Sequence, residues 1–565
     1  MSKAIRQRPL LGSIGQWFDA VPEIIRRIYA ARGVFSEADT ALAAERLHPT
    51  HLLGGMEKAV TLLVDAVKTK KSITISGDYD CDGATGTAVA VLGLRILGAA
   101  KVNYVIPHRF LHGYGLSKDL VDTISPKPDI IVTVDSGVAS LEGVAYAKSL
   151  GMTVIVTDHH LPGDQLPDAD AIVNPNLHGD GFPSKALAGV GVMFYLLLAL
   201  RKQLALEGMN ANPLGELLDI VALGTVADLV PLDQNNRILV AAGLQRIRQG
   251  KAHPGIKALI ALAGKDPEKL CAQDFGFALA PRLNAAGRLE DMSVGVETLL
   301  ATNAEKAKEL VAKLDTINRE RQSIQGEMVA EAEALLAQNE EVIDDHIGVV
   351  VYQPTWHAGV VGLVASKLKE SLHRPVFAFA PGEDNAAALR GSGRSIEGFH
   401  LRDALVEIDA KYPGLIPKFG GHAMAAGLSL AKENLDVFSK AFNEVATAHL
   451  TKELLEAVVW TDGELAADDI CLDFAEWIQW AGPWGQAFPQ PCFENTFDVM
   501  AWYRMGSDHV KFQLRDPRNG RLVEGVYFRG YQEEAFPQRV RVAYELAVNV
   551  WHDNTTLQLL IKHLE

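Results

Sequence analysis

Between residues 72 and 174, short β-rich runs alternate with segments of helical length, and this pattern constrains the fold more than any other feature of the chain. The runs are SITIS ending at Ser76, VNYVI ending at Ile106, DIIVTV ending at Val134, MTVIVT ending at Thr157 and AIV ending at Val173. Between them lie Ala84 to Leu97, Leu116 to Ile124 and Ala139 to Leu150, each long enough for a crossover helix. Parallel neighbours need such crossovers, so the order predicts an α/β fold with a parallel, doubly wound sheet. Ligands of these sheets gather at the carboxyl ends of the strands.

The remaining chain is long enough for further domains, since 565 residues predict about three at roughly 100 to 200 residues each. The expected organisation is an N-terminal helical segment over 1–49, the parallel-sheet domain with a helical extension over 50–300, and a connecting helix over 301–345. A second α/β domain over 346–450 and a β-barrel domain over 451–565 follow. Residues 302–339 contain no proline and one glycine, Gly326, and Leu310, Leu314, Ile317, Ile324 and Met328 fall on one seam. At 1.5 Å per residue that predicts a rigid strut of about 57 Å. The second α/β unit starts with the strand HIGVVVY, continues through a helix from about Val360 to Ser371, and returns in VFAFA. From Phe493 the strands KFQLR and RLVEGVYF flank DPRNG, whose Asn519-Gly520 is a hairpin signal.

Composition excludes several classes. The longest apolar run, Gly189 to Leu200, stops at Arg201, short of the roughly 20 residues of a membrane span, and the basic first residues lack the apolar core of a secretory signal. A cytoplasmic protein without a membrane partner is expected. Cys81, Cys271, Cys471 and Cys492 have no close spacing, which argues against a disulfide framework and a zinc ribbon. The net charge of −16 is awkward for a nucleic-acid binder. The window from Trp502 to Arg541 nevertheless carries eight Arg or Lys against five Asp or Glu, so one basic module remains available.

The acids are placed where a sheet of this kind binds ligands. The first strand runs into Gly77-Asp78-Tyr79-Asp80-Cys81-Asp82-Gly83, the third into Asp135-Ser136-Gly137, and the fourth into Asp158-His159-His160. A further acid, Asp228, follows a hydrophobic helix in LGTVADLVPL. Carboxylates crowded together are costly unless a cation compensates them. Carboxylate oxygen with one or two imidazoles suits Mg²⁺ or Mn²⁺ better than Zn²⁺. Each piece alone has a plainer reading: acid-rich turns cap helices, and a histidine pair can be a satisfied turn. Their joint occurrence at three strand ends is what points to a metal centre. The pattern G-x-x-x-x-G-K-[ST] is missing, which disfavours a nucleotide triphosphatase.

GDYDCDG, VDSG, TDHH and GTVADLVPL resemble, in order, the four motifs of the DHH phosphoesterases, and PRLNAAGR, GSGRS and FGGHAMAAG are similar to the RecJ group of single-strand-specific DNA exonucleases. The resemblance covers about residues 50 to 430, and the β domain also fits it. It implies metal ligands at Asp80, Asp82, Asp135, His159 and Asp228, with Asp135 bridging two ions, Mn²⁺ or Mg²⁺. The family often has His where this chain has Ser76, which leaves the first metal's coordination and any part for Asp78 open. His160, beside a ligand, is expected to donate to a phosphate oxygen or support developing charge.

In the second domain Arg390, Arg394, Ser392 and Ser395 surround Gly391 and Gly393, and Gly420-Gly421-His422 adds backbone donors and an imidazole. These residues suit phosphate capture or, equally on their own, a glycine-rich turn with surface arginines. The resemblance favours capture by Arg394, Ser395, Gly420, Gly421 and His422. With them, Arg282, Asn284, Arg288 and Arg109 are candidate contacts to a nucleic-acid backbone in one cleft. In the β domain Trp502, Tyr503, Phe512, Tyr527, Phe528 and Tyr531 interleave with Arg504, Lys511, Arg515, Arg518, Arg521 and Arg529, as in barrels of the oligonucleotide-binding (OB) kind, although half or more of these aromatics belong to a barrel core.

The function expected is metal-dependent, two-metal hydrolysis of single-stranded DNA in repair and recombination. The resemblance implies 5′ to 3′ polarity, mononucleotide products, and helicase and single-strand-binding protein partners. The alternatives are a DHH phosphodiesterase of short oligonucleotides or cyclic dinucleotides, and an inactive replication scaffold. The C-terminal module argues against the first and the retained acids against the second.

Overall fold

The computed structural model describes residues 3–18, 21–109, 111–209, 211–338, 346–382, 387–552 and 554–565. The chain divides into two compact units, one of Met1–Arg6 with Arg319–Val459 and one of Gln7–Asn318 with Trp460–Glu565. The C-terminal barrel therefore shares a unit with the parallel sheet, a grouping that linear order does not suggest.

The parallel sheet contains β1 (Ser72–Ser76), β2 (Lys101–Val105), β3 (Ile130–Val134), β4 (Thr153–Thr157) and β5 (Ala171–Val173), in the order β2-β1-β3-β4-β5. Every neighbouring pair is parallel. The order reverses between β1 and β3, and the crevice beyond that switch point is where sheets of this type bind ligands. The inner strands β1, β3 and β4 are β-branched runs buried on both faces, with all five residues of β3 buried, as crossovers on both sides require, while the edge strand β2 is partly exposed. Helix α1 (Cys81–Ile96) follows β1.

Helix α2 (Gly189–Leu206) extends past the expected end of the apolar run at Leu200. Among the described residues it is the one helix long and apolar enough to cross a membrane, but most of it is buried inside the protein as a core helix. Helix α3 (Leu218–Ala227) is also nearly all buried. Helices α4 (Ala280–Leu289) and α5 (Ala304–Ala337) continue the chain. Of the seam along α5, Leu314, Ile317 and Met328 are buried while Leu310 and Ile324 are only partly so, and Val311, outside the expected seam, is buried as well.

In the other unit, β6 (Val349–Tyr352), β7 (Val376–Pro381), β8 (Ala388–Arg394), β9 (Lys418–Gly421) and β10 (Ala425–Ala431) form a mixed sheet in the order β9-β10-β8-β7-β6. Its core is built on Phe377, Phe379, Phe438 and Phe442. The glycine-rich segment, for which a turn was the alternative to phosphate capture, is strand β8, paired on both sides. Gly391 and Gly393 are there for packing, since an added Cβ would lie 2.4 Å from Phe379 and 2.5 Å from Phe377.

The barrel is closed by β11 (Phe493–Met505), β12 (His509–Arg515), β13 (Leu522–Tyr527), β14 (Arg539–Trp551) and β15 (Asn554–Leu564), ordered β11-β12-β13-β15-β14. Its core is continuous with that of the parallel-sheet unit. A buried ion pair ties it to the N-terminal segment: Arg32 Nη1 donates to Asp462 Oδ1 at 2.7 Å and Nη2 to Oδ2 at 2.9 Å.

Candidate metal centre

The loop after β1 delivers three acids at alternate positions. Asp80 caps α1, its Oδ1 accepting from Gly83 N at 3.0 Å, so its charge sits at a helix N-terminus. Asp82 lies in the first turn and accepts from Gly189 N at 2.6 Å and Val190 N at 2.9 Å, the opening amides of α2. Gly189 is required there, because a Cβ would lie 2.5 Å from that of Asp135. Cys81, between the two acids, is buried in the hydrophobic core, and burial raises its thiol pKa, with Asp80 and Asp82 adding to the rise.

Asp135 follows β3 with φ of 60°, a left-handed conformation costing a non-glycine residue of order 1 kcal/mol or more and found where function holds the backbone. After β4, Asp158 organises the histidines. It accepts from His159 N at 2.7 Å, from His160 N at 3.0 Å and from Val138 N at 2.9 Å, and its Oδ1 lies 2.8 Å from His160 Nδ1. Asn174 and Asn176 brace the same turn through the carbonyls of His160 and His159.

These strand ends converge. His159 Nε2 is 3.1 Å from Asp135 Oδ1, 3.5 Å from Asp228 Oδ2 and 3.9 Å from Asp82 Oδ2. Ligand atoms of Asp82, His159 and Asp228 lie within 4.8 Å of one another, and so do those of Asp78, Asp80 and Asp135 and those of Asp135, His159 and His160. Asp78, left open in the sequence reading, therefore joins the cluster. Asp78 is 4% exposed, while Ser76, two residues earlier, is fully buried. Asp78 Oδ1, Asp135 Oδ1 and Asp228 Oδ2 are buried with no hydrogen-bond partner among the described residues.

Buried, unpaired carboxylate oxygens are expensive, and their pKa values show it. Burial, reinforced by the Asp80 charge, pushes Asp78 up to about 8 and Asp82 up to about 7. Burial and the neighbouring acids raise Asp135 and Asp228 well above the carboxylate range. Burial alone would lower His160, but Asp158 and the surrounding acids outweigh it and raise the imidazole to about 9. A hard divalent cation is the partner that such a donor set lacks, and the residues fit Mn²⁺ or Mg²⁺.

The other candidate residues divide differently. Asn284 accepts from Cys81 N at 2.8 Å, and α4 packs so closely that a Cβ on Gly287 would meet Tyr79 O at 1.7 Å. Arg109 Nε donates to Gly287 O at 3.0 Å while its guanidinium lies 4.1 Å over the Tyr79 ring. Arg282 pairs with Asp315 at 3.0 Å. Asn284, Arg109 and Arg282 thus make contacts within the protein, the first two of them bracing the metal loop.

In the mixed sheet, Arg394 donates to Ser392 Oγ and Gly393 O, and the Ser395 hydroxyl is buried against Phe399 O at 2.6 Å. Gly421, with φ of 144°, and His422 are exposed at the end of β9. The β9–β10 and β10–β8 registers bring them to the same sheet end as Arg394.

The model of the DHH family N-terminal domain matches residues 72–225, that of the DHHA1 domain residues 346–448, and that of the RecJ OB domain residues 461–563. Single-stranded-DNA-specific exonuclease RecJ of Salmonella typhimurium is 48% identical over 96% of this chain and 95% of its own. The chain belongs to the RecJ family. RecJ of Escherichia coli is 47% identical over 96% of both chains. The crystal structure of RecJ from Thermus thermophilus in complex with Mn²⁺ superposes with a TM-score of 0.80 at 29% identity, covering 98% of this chain and 79% of that one. A second, in complex with Mg²⁺, gives 0.75. The RecJ fold of three domain types is thus present throughout, with an acid and imidazole cluster of the chemistry those metals require.

Proposed function

We propose that this chain is a metal-dependent exonuclease that hydrolyses single-stranded DNA from the 5′ end to mononucleotides, in DNA repair and recombination. The observation that carries the reading is the set of buried carboxylate oxygens without a hydrogen-bond partner among the described residues, gathered from the ends of β1 and β3 beside the switch point of a parallel sheet and from the end of α3.

Asp80, Asp82, Asp135, His159 and Asp228 would hold two Mn²⁺ or Mg²⁺ ions, with Asp78 beside Asp80 and Asp135. Ions held there supply an acidified water and charge stabilisation for in-line displacement at phosphorus. The α2 amides hold Asp82 in one orientation. Asp158 orients the His160 ring through Nδ1, so that the imidazole is held to act on the phosphate or the departing oxygen. Arg394, Gly420, Gly421 and His422 are read as the terminal-phosphate site and Arg288 as a backbone contact. The barrel is read as the element that holds longer single strands. Helicase and single-strand-binding protein partners and a cytoplasmic location belong to this reading through the family alone.

The test is a panel of 5′- and 3′-labelled single-stranded DNA, duplex DNA and RNA, with and without a 5′ phosphate, incubated with Mn²⁺ or Mg²⁺ and resolved by length. The expected result is metal-dependent release of the 5′ label as mononucleotide from single-stranded DNA, fastest on phosphorylated ends. Equal cleavage of duplex, or activity confined to di- and trinucleotides, would overturn it.

A further inference from the structure

One side chain in the site is neither a ligand candidate nor a phosphate contact. Tyr114 stands in the loop between β2 and the helix Lys118–Thr123. It is flanked by Gly113 and Gly115, with φ of 74° and 73°, so the chain turns sharply on either side of it; Tyr114 is 46% exposed, with its hydroxyl end turned to the strand ends. The loop is pinned behind it, where Ser140 Oγ accepts from Leu116 N at 3.1 Å and a Cβ on Gly115 would come within 2.7 Å of the same oxygen. The ring meets the edges of Tyr79 and His160, at centroid distances of 6.2 and 5.7 Å.

Its hydroxyl touches two ligand-bearing strand ends at once. Oη donates to the Asp135 carbonyl at 3.2 Å and lies 3.2 Å from His160 Nδ1 and 3.3 Å from Nε2. The Asp135 carbonyl belongs to the residue held at φ of 60°, whose orientation the local chain does not favour. The His160 ring is otherwise anchored at Nδ1, by Asp158. A third loop thus ties the end of β3 to the end of β4 through one hydroxyl.

We infer that Tyr114 is a positioning residue whose hydroxyl sets the Asp135 backbone and the His160 ring relative to each other, and through them the metal geometry and the catalytic step. The inference rests on the proposed nuclease reading. Groups that orient metal ligands are typically worth about 10- to 100-fold in affinity or activity when removed.

The experiment compares Tyr114→Phe and Tyr114→Ala with the wild type, and with Tyr146→Phe as a control that removes a remote, surface hydroxyl bonded to Asp122. Mn²⁺ affinity is read by electron paramagnetic resonance without DNA, and kcat and KM are read on a short single strand. The inference expects Tyr114→Phe to weaken Mn²⁺ binding or lower kcat by about 10-fold or more, with KM within about 2-fold and thermal melting unchanged. Tyr114→Ala should be no better, and the control should be normal. Wild-type Mn²⁺ affinity and kcat in Tyr114→Phe would overturn it, as would a defect in KM alone, which marks a ring that stacks on the nucleotide. Failure of the nuclease reading is distinguishable, because the wild type itself would then not cleave while the Mn²⁺ comparison still stands.

Discussion

At the carboxyl edge of the parallel sheet, Asp78 Oδ1 and Asp135 Oδ1, with Asp228 Oδ2 from the end of α3, are buried without a hydrogen-bond partner among the described residues, and the carboxylates crowd one another around Asp135. On the barrel most of the cations are paired with acids. Arg515 and Arg539 both reach Asp498, Arg518 pairs with Asp516, Arg541 with Glu494 and Glu565, and Lys511 with Glu524. The excess of basic residues that singled out the barrel in the sequence is therefore largely compensated where it stands. A polar group left unsatisfied inside a fold marks the need for an outside partner, whereas a count of surface cations marks very little until their neighbours are known.

The largest effect should come from the unsatisfied edge. Asp135→Asn keeps volume and removes charge, so hydrolysis should fall roughly 1000-fold or more, as expected when central electrostatic stabilisation is lost. Thermal melting without metal should hold or rise, because repulsion is relieved. A variant that loses stability and activity in parallel would place Asp135 among structural groups and erase the contrast. Next in size is the buried pair that joins the barrel to the N-terminal segment, with Arg32 and Asp462 side chains 0% and 2% exposed. Asp462→Ala strands a buried guanidinium and should cost about 3 to 5 kcal/mol in denaturant unfolding. Asp498→Ala, which breaks ion pairs to Arg515 and Arg539 at the barrel surface, should shift denaturant unfolding far less, and equal losses would contradict the distinction.

Smaller changes sharpen the barrel's side of the comparison. Tyr503 and Phe528 are 61% and 56% exposed, while Phe512 is 1% exposed and belongs to the core. If the barrel holds single strands by stacking, Phe528→Ala should weaken binding of long strands by about 1 to 3 kcal/mol and leave cleavage of very short oligomers unchanged. Equal losses on both lengths would make the barrel structural support. The smallest effect is expected for Arg515→Ala, whose cation is already engaged by Asp498, with KM on single strands moving less than about 3-fold.

Much of this was legible in the sequence. SITIS and AIV are strands β1 and β5 to the residue, because parallel strands covered on both faces read as short β-branched runs with sharp ends. The acids were legible for a related reason, since strand ends fix which residues share an edge. What escaped depends on contacts between loops. Asp158 reads as a strand-end acid, and only its hydrogen bonds to His159, His160 and Val138 show it to be the organiser of the turn. Tyr114 acts across residue separations of 21 and 46 that no periodicity reports. Asp78 carried a signal, the alternation Asp78-x-Asp80-x-Asp82, that needed the buried Ser76 beside it to be interpreted. The glycines of β8 left a turn open as an alternative, because glycine admitted for ring packing has the same letters as glycine admitted for a turn.

The central claim is that the anionic cluster is a metal site held ready by the fold, and its most direct test is a calorimetric titration of Mn²⁺ into the metal-free protein at two pH values. Asp78 and Asp82, raised to about 8 and about 7, bind protons in the folded protein at a pH where the unfolded chain has released them. The folded state thus carries more bound protons, so the metal-free protein should lose stability as pH rises from about 4 toward 8. Metal binding must expel those protons. The account predicts about two Mn²⁺ per chain, protons released near pH 6.5, tighter binding at pH 8, and a rise in melting temperature on loading that is larger at pH 8. A folded protein that takes up no Mn²⁺, or takes it up with no proton release and no dependence on Asp135, would contradict it.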